Sequence, residues 1–485
     1  MARSAAIEKS MEPYVRTDML LPEPPPLGER GAAKWLRENL FSGPLNTVLT
    51  ILGLLFVVWL VWTAFPWWFH SVWNANSLSE CRQIIAAEGG ASGACWAVIR
   101  ARWHQYLFGF YPPALYWRPV LTFGLMFVAM APVLFWKERK GAVLVAAAGV
   151  LTVLALLLLS VPMGPLLGSA LLMLALFALA WFMPSQLILV TLLFPFAGFF
   201  LLWGGPVWKP LATLLGFALL TGVYSLLKTR LGVVMATALG LLAAAVYWLL
   251  LQGYVTAALT SVLNIGLVSV NSDQFGGFLL AFVIGVTAIS ASLPLGIMLA
   301  LGRRSDMPLI KWLSVGFIEF IRGVPLITLL FTASLLLQYF LPPQTNFDLI
   351  LRVIILASLF SAAYLAEVIR GGLAALPRGQ YEAADSLGLD YWQAQRLIIM
   401  PQALKISIPG IVSTFIGLFK DTTLVSFVGL LDPLRGVTMA VRADINWKGI
   451  YWEPYIFVGT IFFLICFGMS RYSMYLERKL KTDHR

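Results

Sequence analysis

The residues best placed to do chemistry in this 485-residue chain are a few charged groups inside or beside long apolar runs. Glu319 and Arg322 are three apart, as are Glu367 and Arg370, which on a helix puts both partners on one face. An ionisable group costs about 2.5–3.5 kcal/mol at the centre of a membrane span, so each of these is a functional candidate. The chemistry open to the two pairs is ion pairing, either as salt bridges at a membrane boundary or as gating and subunit contacts. Lys420 and Asp421 are adjacent, so on a helix they point apart and need separate partners. A zwitterionic ligand on a substrate path would use both signs, and a subunit interface would serve equally. The chain has no His-Glu-x-x-His, no metal-spaced cysteine cluster and no Gly-x-x-x-x-Gly-Lys-Ser/Thr phosphate loop. Its three histidines, His70, His104 and His484, fall outside the apolar runs, which leaves no material for a histidine proton relay. The expectation is therefore no catalytic residue, no metal and no cofactor bound by this chain.

A polar stretch between two apolar runs covers residues 380–400 and is followed by Pro401. Glu382, Ala383, Ala384, Ser386 and Leu387 suit a short helix, and Gly388 supplies the residue that most easily takes a left-handed cap. Asp390 is expected to cap a second helix over 391–400, presenting Trp392, Leu397 and Ile399 on one side and stopping at Pro401. Two readings stay open: an amphipathic loop lying on lipid headgroups, or a compact unit that a soluble partner grips.

The elements that position these residues are set by composition. Hydrophobic residues make up 60% and charged residues 12%, with a mean hydropathy of +0.83, which marks an integral membrane protein. The net charge of +11 falls in short clusters at run ends: Lys137 to Lys140, Lys228 and Arg230, Arg303-Arg304, and Arg478 to Lys481. That is a topology signal rather than a nucleic-acid footprint. The fold class is an all-α polytopic membrane protein with about twelve transmembrane helices, seven before residue 253 and five after. An even count puts both termini on the cytoplasmic side, with the basic clusters and the 380–400 stretch.

Along the chain, residues 1–45 read as a proline-rich disordered tail and an interfacial helix, without the features of a cleavable leader. Residues 46–252 hold about seven spans. The first is placed at 46–65, the seventh at 231–251, and a periplasmic loop at 66–118. Residues 253–475 hold five spans, and 476–485 form a basic tail. Cys81 and Cys95 share the 66–118 loop, where a disulfide is permitted by an oxidising compartment; two buried free thiols are the alternative. No internal repeat of the kind that marks inverted-repeat transporters is evident.

Glu382-Ala-Ala384, Gly388 and Pro401-Gln-Ala403 together resemble the cytoplasmic coupling loop of ABC importer permeases. The likeness extends over the last two-fifths of the chain, through Glu319-Phe-Ile-Arg322-Gly-Val-Pro325, Tyr364-Leu-Ala-Glu367-Val-Ile-Arg370-Gly-Gly372, Leu376-Pro-Arg-Gly-Gln380 and Lys420-Asp-Thr-Thr-Leu424. This part is similar to the permease domain of polar amino-acid ABC importers, the histidine and glutamine permease family. The resemblance implies a type I permease core in the last five spans, within a bacterial inner membrane. It implies that Glu382, Ala383, Ala384, Gly388 and Pro401, within a coupling loop at 376–403, meet a cytoplasmic ATPase dimer. ATP and Mg would be bound by that partner. A periplasmic amino-acid-binding protein and a second homologous permease are further implied partners. An ion-coupled secondary amino-acid transporter, or a membrane scaffold recruiting a soluble partner, are the competing functions. The extension over 1–252 is not explained by the motifs.

Overall fold

A computed structural model describes residues 31–90, 92–136, 138–340 and 348–480. The proline-rich tail, Lys137, the Pro342-Pro343 break and Lys481 with the residues after it lie outside the described residues. Almost all of the described chain is helical: long apolar runs without water can satisfy their backbone groups only within the segment. The chain divides into two compact units. Among the described residues, one comprises those up to Val72 and those from Glu80 to Ala94, the other Trp73–Ser79 and those from Cys95 onward.

In the first unit, α1 (Gly31–Asn39) carries a Lys34–Glu38 pair one turn apart. It is followed by α2 (Pro44–Phe69), which keeps Pro66 inside the helix and runs past the expected end at residue 65. Backbone bonds from Val72 N–H to Ala94 and from Ala94 N–H to Trp67 close this unit. Most of α3 (Leu78–Ala87) belongs to it.

The second unit holds α4 (Ala97–Phe108), α5 (Trp117–Leu134), α6 (Arg139–Leu158), α7 (Met163–Phe182) and α8 (Leu187–Trp203). Strand β1 (Gly205–Pro206) leads into α9 (Trp208–Val246), which is broken at Gly232 into two helices. A π turn at Tyr247–Leu251 continues into α10 (Gln252–Val262), so the seventh apolar helix ends at Val262 rather than at residue 251. Strand β2 (Gly266–Leu267) pairs antiparallel with β1. The remainder comprises α11 (Gly277–Arg303), α12 (Pro308–Gly323), α13 (Leu326–Phe340), α14 (Leu349–Ala374), α15 (Arg378–Ser386), α16 (Tyr391–Ala394), α17 (Met400–Asp421), α18 (Pro433–Ala443) and α19 (Trp452–Leu480).

Among the described residues, ten helices are long and apolar enough to cross a membrane. Helix α12 and the start of α13, bent by 101°, make an eleventh if counted as one broken span. The remaining difference from the expected twelve is α8, which has 17 residues. At 1.5 Å per residue it is about 26 Å long, just short of the ~30 Å hydrocarbon thickness. Contacts within the second unit show that α8 still runs from one end of the bundle to the other. At one end, β1 after α8 pairs with β2, Gly276 bridges to Leu431, and Arg102 pairs with Asp444. At the other, Glu138 pairs with Lys479, and the Tyr472 hydroxyl donates to Leu134 O at 2.9 Å. Alternation between these ends holds only if α8 is a crossing.

Helix α14 packs along both α11 and α17. At Gly372 a Cβ would sit 2.1 Å from Ser407 Oγ and 2.5 Å from Ala403 O, so only glycine allows α14 to lie this near α17. Ala300, Ile318, Leu365, Ile369, Ile399 and Ala403 form one buried cluster here, beneath the stretch singled out by sequence.

Candidate functional site

The polar stretch folds as two short helices around a glycine corner. Helix α15 ends in a double hydrogen bond: Gly388 N–H donates to Asp385 O at 2.9 Å and Leu389 N–H to Ala384 O at 3.3 Å. Gly388 carries φ +68°, the left-handed conformation such an ending needs. Asp390 then caps α16: its Oδ1 accepts from Gln393 N–H at 2.8 Å, and Gln393 Oε1 accepts from Asp390 N–H at 3.1 Å. This reciprocal capping box, with the glycine before it, fixes the angle between the helices by local bonds alone.

The expectation of a helix stop at Pro401 is corrected by the structure. A π turn over Gln395–Ile399 follows α16, and Pro401 lies in the first turn of α17. The wider π turn absorbs the missing N–H and ring bulk of proline, which is tolerated in a first helical turn. The loop is therefore continuous with a membrane-crossing helix. Ile399 is also buried, not presented beside Trp392 and Leu397.

Two polar clips hold the unit against the bundle. Gln402 Nε2 donates to Gln380 Oε1 at 2.8 Å, joining the two arms, and Arg304 Nη1 donates to the Tyr381 hydroxyl at 2.9 Å. Ala384 is buried, whereas Glu382, Ala383 and Gly388 are exposed. Leu387, Trp392 and Leu397 are 72%, 70% and 64% exposed, an apolar display that a solvent-facing loop does not need for its own stability.

Beside the loop the charged residues form one network, not two separate pairs. Arg303 Nη1 donates to Glu319 Oε1 at 2.9 Å and to Glu367 Oε1 at 2.6 Å. Glu367 also meets Arg370 at 3.0 Å and Arg322 at 3.7 Å. Glu319 thus pairs with Arg303 of α11 rather than with Arg322, three residues away on its own helix. Glu367 is the hub, with its side chain 16% exposed. Sequence spacing missed Arg303, Arg304, Gln380 and Gln402, because their partners are distant in the chain. The basic Arg303-Arg304 pair at a span end was the available signal.

Lys420 and Asp421 lie at the far end of α17, about 30 Å along the helix from Pro401. Neither forms an ion pair among the described residues, and the helix changes to a 3-10 turn at Thr422–Val428 immediately after them. Cys81 and Cys95 are buried and both disulfide-bonded, and Cys466 is free. No group of His, Cys, Asp and Glu able to hold a metal occurs among the described residues. At the end of the bundle away from the loop, Asp432 caps α18 by accepting from Leu434 N–H at 3.0 Å and Arg435 N–H at 3.1 Å. Burial pushes its carboxyl up to about 6 against those bonds.

Residues 292–482 match the family described as the binding-protein-dependent transport system inner membrane component. Over 97% of its length the chain is 63% identical to the glutamate/glutamine/aspartate/asparagine transport system permease protein BztC of Rhodobacter capsulatus, covering 99% of that protein. It is 35% identical to the inner membrane amino-acid ABC transporter permease protein YhdY of Escherichia coli K12, over 96% of this chain and 98% of that one. Both relatives span the N-terminal helices as well as the last five. A solved structure, titled as an amino acid ABC transporter with histidines, is 31% identical over 41% of this chain and 90% of its own, with a TM-score of 0.37. The chain belongs to the amino-acid ABC transporter permeases, the inner-membrane components of binding-protein-dependent import.

Proposed function

We propose that this permease imports acidic amino acids and their amides, and that residues 376–403 couple it to its ATPase subunit. The substrate class rests on the full-length likeness to the Rhodobacter capsulatus permease named for glutamate, glutamine, aspartate and asparagine. A permease of this family works with an ATPase subunit and a substrate-binding protein. The finer reading is that the ATPase is a dimer bound at the α15–α16 unit, that a second, homologous permease completes the pore, and that both termini are cytoplasmic.

The observation that carries the coupling role is the build of the α15–α16 unit. It is internally rigid, presents Leu387, Trp392 and Leu397 outward, and continues without a break into α17. Displacement of the unit is thereby delivered to the buried cluster that joins α11, α12, α14 and α17. Glu382, exposed on α15, supplies the charged contact to the partner. Pro401 holds the π turn through which α16 meets α17. The Glu367 network ties α11, α12 and α14 together beside the loop, so a motion there moves these helices as a group. Lys420 and Asp421, of opposite sign and without an ion pair among the described residues, are the groups we assign to the substrate path or the permease interface.

Reconstitution with and without the ATPase, the binding protein and the second permease tests this reading. ATP-dependent uptake requiring the ATPase is expected. Uptake by this chain alone under an ion gradient would instead make it a secondary transporter, and partner recruitment without uptake would make it a scaffold.

A further inference from the structure

Away from the coupling loop, the second unit contains a cavity of about 920 Å³ between helices of the N-terminal extension and helices of the permease core. That is at the upper end of ligand-sized cavities, about 300–1,000 Å³. Its walls come mainly from α5, α8, α11, α14 and α19, with one or two residues each from α4, α6 and α9, and are almost wholly apolar, with Phe123, Phe194, Phe199, Phe282 and Ile354 among them. The five main helices cross the bundle, so the walls lie at hydrocarbon depth. Leu351 and Leu464, also in the lining, are 45% and 60% exposed, which leaves the cavity open to the bilayer as a cleft.

Two charged residues line it, Lys209 and Asp348. Both belong to the end of the bundle away from the coupling loop. Lys209 is in the first turn of α9, and Asp348 caps α14. There Trp203 Nε1 donates to Ser272 Oγ at 2.8 Å, and the Ser272 hydroxyl donates to Asp348. Asp348 is committed to the fold, accepting also from Ile350 N–H at 2.8 Å. Lys209 is not: its ammonium stands 5.3 Å from the Phe199 ring centroid and forms no ion pair among the described residues.

We propose that this cleft holds one phospholipid, with an acyl chain between the phenylalanine walls and the phosphodiester against Lys209 Nζ. A zwitterionic amino acid fits poorly: Lys209 could meet its carboxylate, but Asp348 is already engaged by Ser272 and Ile350, so its ammonium would be buried without a partner. The walls are also supplied by eight helices of one chain, which form a concave slot suited to a flexible acyl chain. Surrounding lipid is as apolar as the cleft, so retention cannot rest on the hydrophobic effect. It must rest on packing and on the headgroup contact. Lys209 therefore decides occupancy, and the bound lipid fills the seam between the extension and the core.

The test is native mass spectrometry of the full chain after exchange from membranes into detergent, then titration with palmitoyl-oleoyl phosphatidylethanolamine. Wild type should carry one tightly held phospholipid. Lys209→Ala should weaken that binding about tenfold, the factor given by about 1.4 kcal/mol of lost contact. Palmitoyl-oleoyl glycerol, which has the same chains and no phosphate, should bind wild type weakly and be indifferent to Lys209→Ala. Val283→Trp should block the slot from inside, whereas Lys311→Ala, on a different helix, should change nothing. Because Lys209 is exposed, its variant keeps the fold and isolates the headgroup contact. Equal retention by wild type and Lys209→Ala, equal binding of the phosphate-free lipid, or displacement of the phospholipid by glutamate would each overturn the proposal.

Discussion

Replacing Gly388 by valine should uncouple transport while leaving the protein inserted. The glycine has φ +68°, and a Cβ there would meet nothing within 4 Å, so the whole effect is backbone strain and not collision. An L-residue in the left-handed region costs about 1–2 kcal/mol, with a β-branched residue at the upper end. Relief of that strain requires the corner to open, which breaks the Gly388-to-Asp385 and Leu389-to-Ala384 hydrogen bonds. A cost of 1–2 kcal/mol leaves the fold intact against a typical stability of about 5–15 kcal/mol, yet lowers the population of the native corner roughly 5–30-fold. ATP-driven uptake in proteoliposomes should fall by a similar factor. Gly388→Asn, which tolerates the left-handed conformation, should retain most of it. Wild-type uptake by Gly388→Val, at normal chain insertion, would refute the view that the corner geometry carries coupling.

Glu382→Ala should reduce recovery of the ATPase subunit in co-purification without altering thermal stability, since the side chain is exposed. Glu367→Gln removes the carboxylate shared by Arg303, Arg370 and Arg322 and should cost about 2 kcal/mol. Glu319→Gln, at a side chain 54% exposed, should cost about 0–1 kcal/mol; thermal unfolding in detergent distinguishes the two. Asp432 predicts a pH effect. Its folded carboxyl is raised from 3.8 to about 6, so the folded state binds the proton more tightly than the unfolded state. Stability should fall by about 3 kcal/mol as pH rises from about 4 to about 6, and stay flat above. Asp432→Asn keeps the cap, and unfolding curves across that range should lose this slope.

What was legible in the sequence was local. Gly388 and Asp390 specify a corner and a cap through bonds to residues within five positions, so type and spacing sufficed. Span placement was legible for the same reason, since each apolar run satisfies its own backbone. The misplaced ends, at residue 65 before Phe69 and at residue 251 before Val262, fell where a proline or a π turn was accommodated inside a helix. Pro401 misled similarly: the helix resumes because a π turn precedes it. The partner of Glu319 was not legible, because Arg303 reaches it from another helix. Nor was the apolar cleft, whose walls come from eight separated helices.

On the coupling proposed above, this chain transports only when a partner's ATP cycle moves its 376–403 loop. The direct measurement is amino-acid uptake into proteoliposomes holding the assembled importer, compared with the same vesicles lacking the ATPase subunit but given an ion gradient. Uptake confined to the complete assembly and dependent on ATP is the predicted result. Accumulation driven by the ion gradient, without the ATPase, would contradict it.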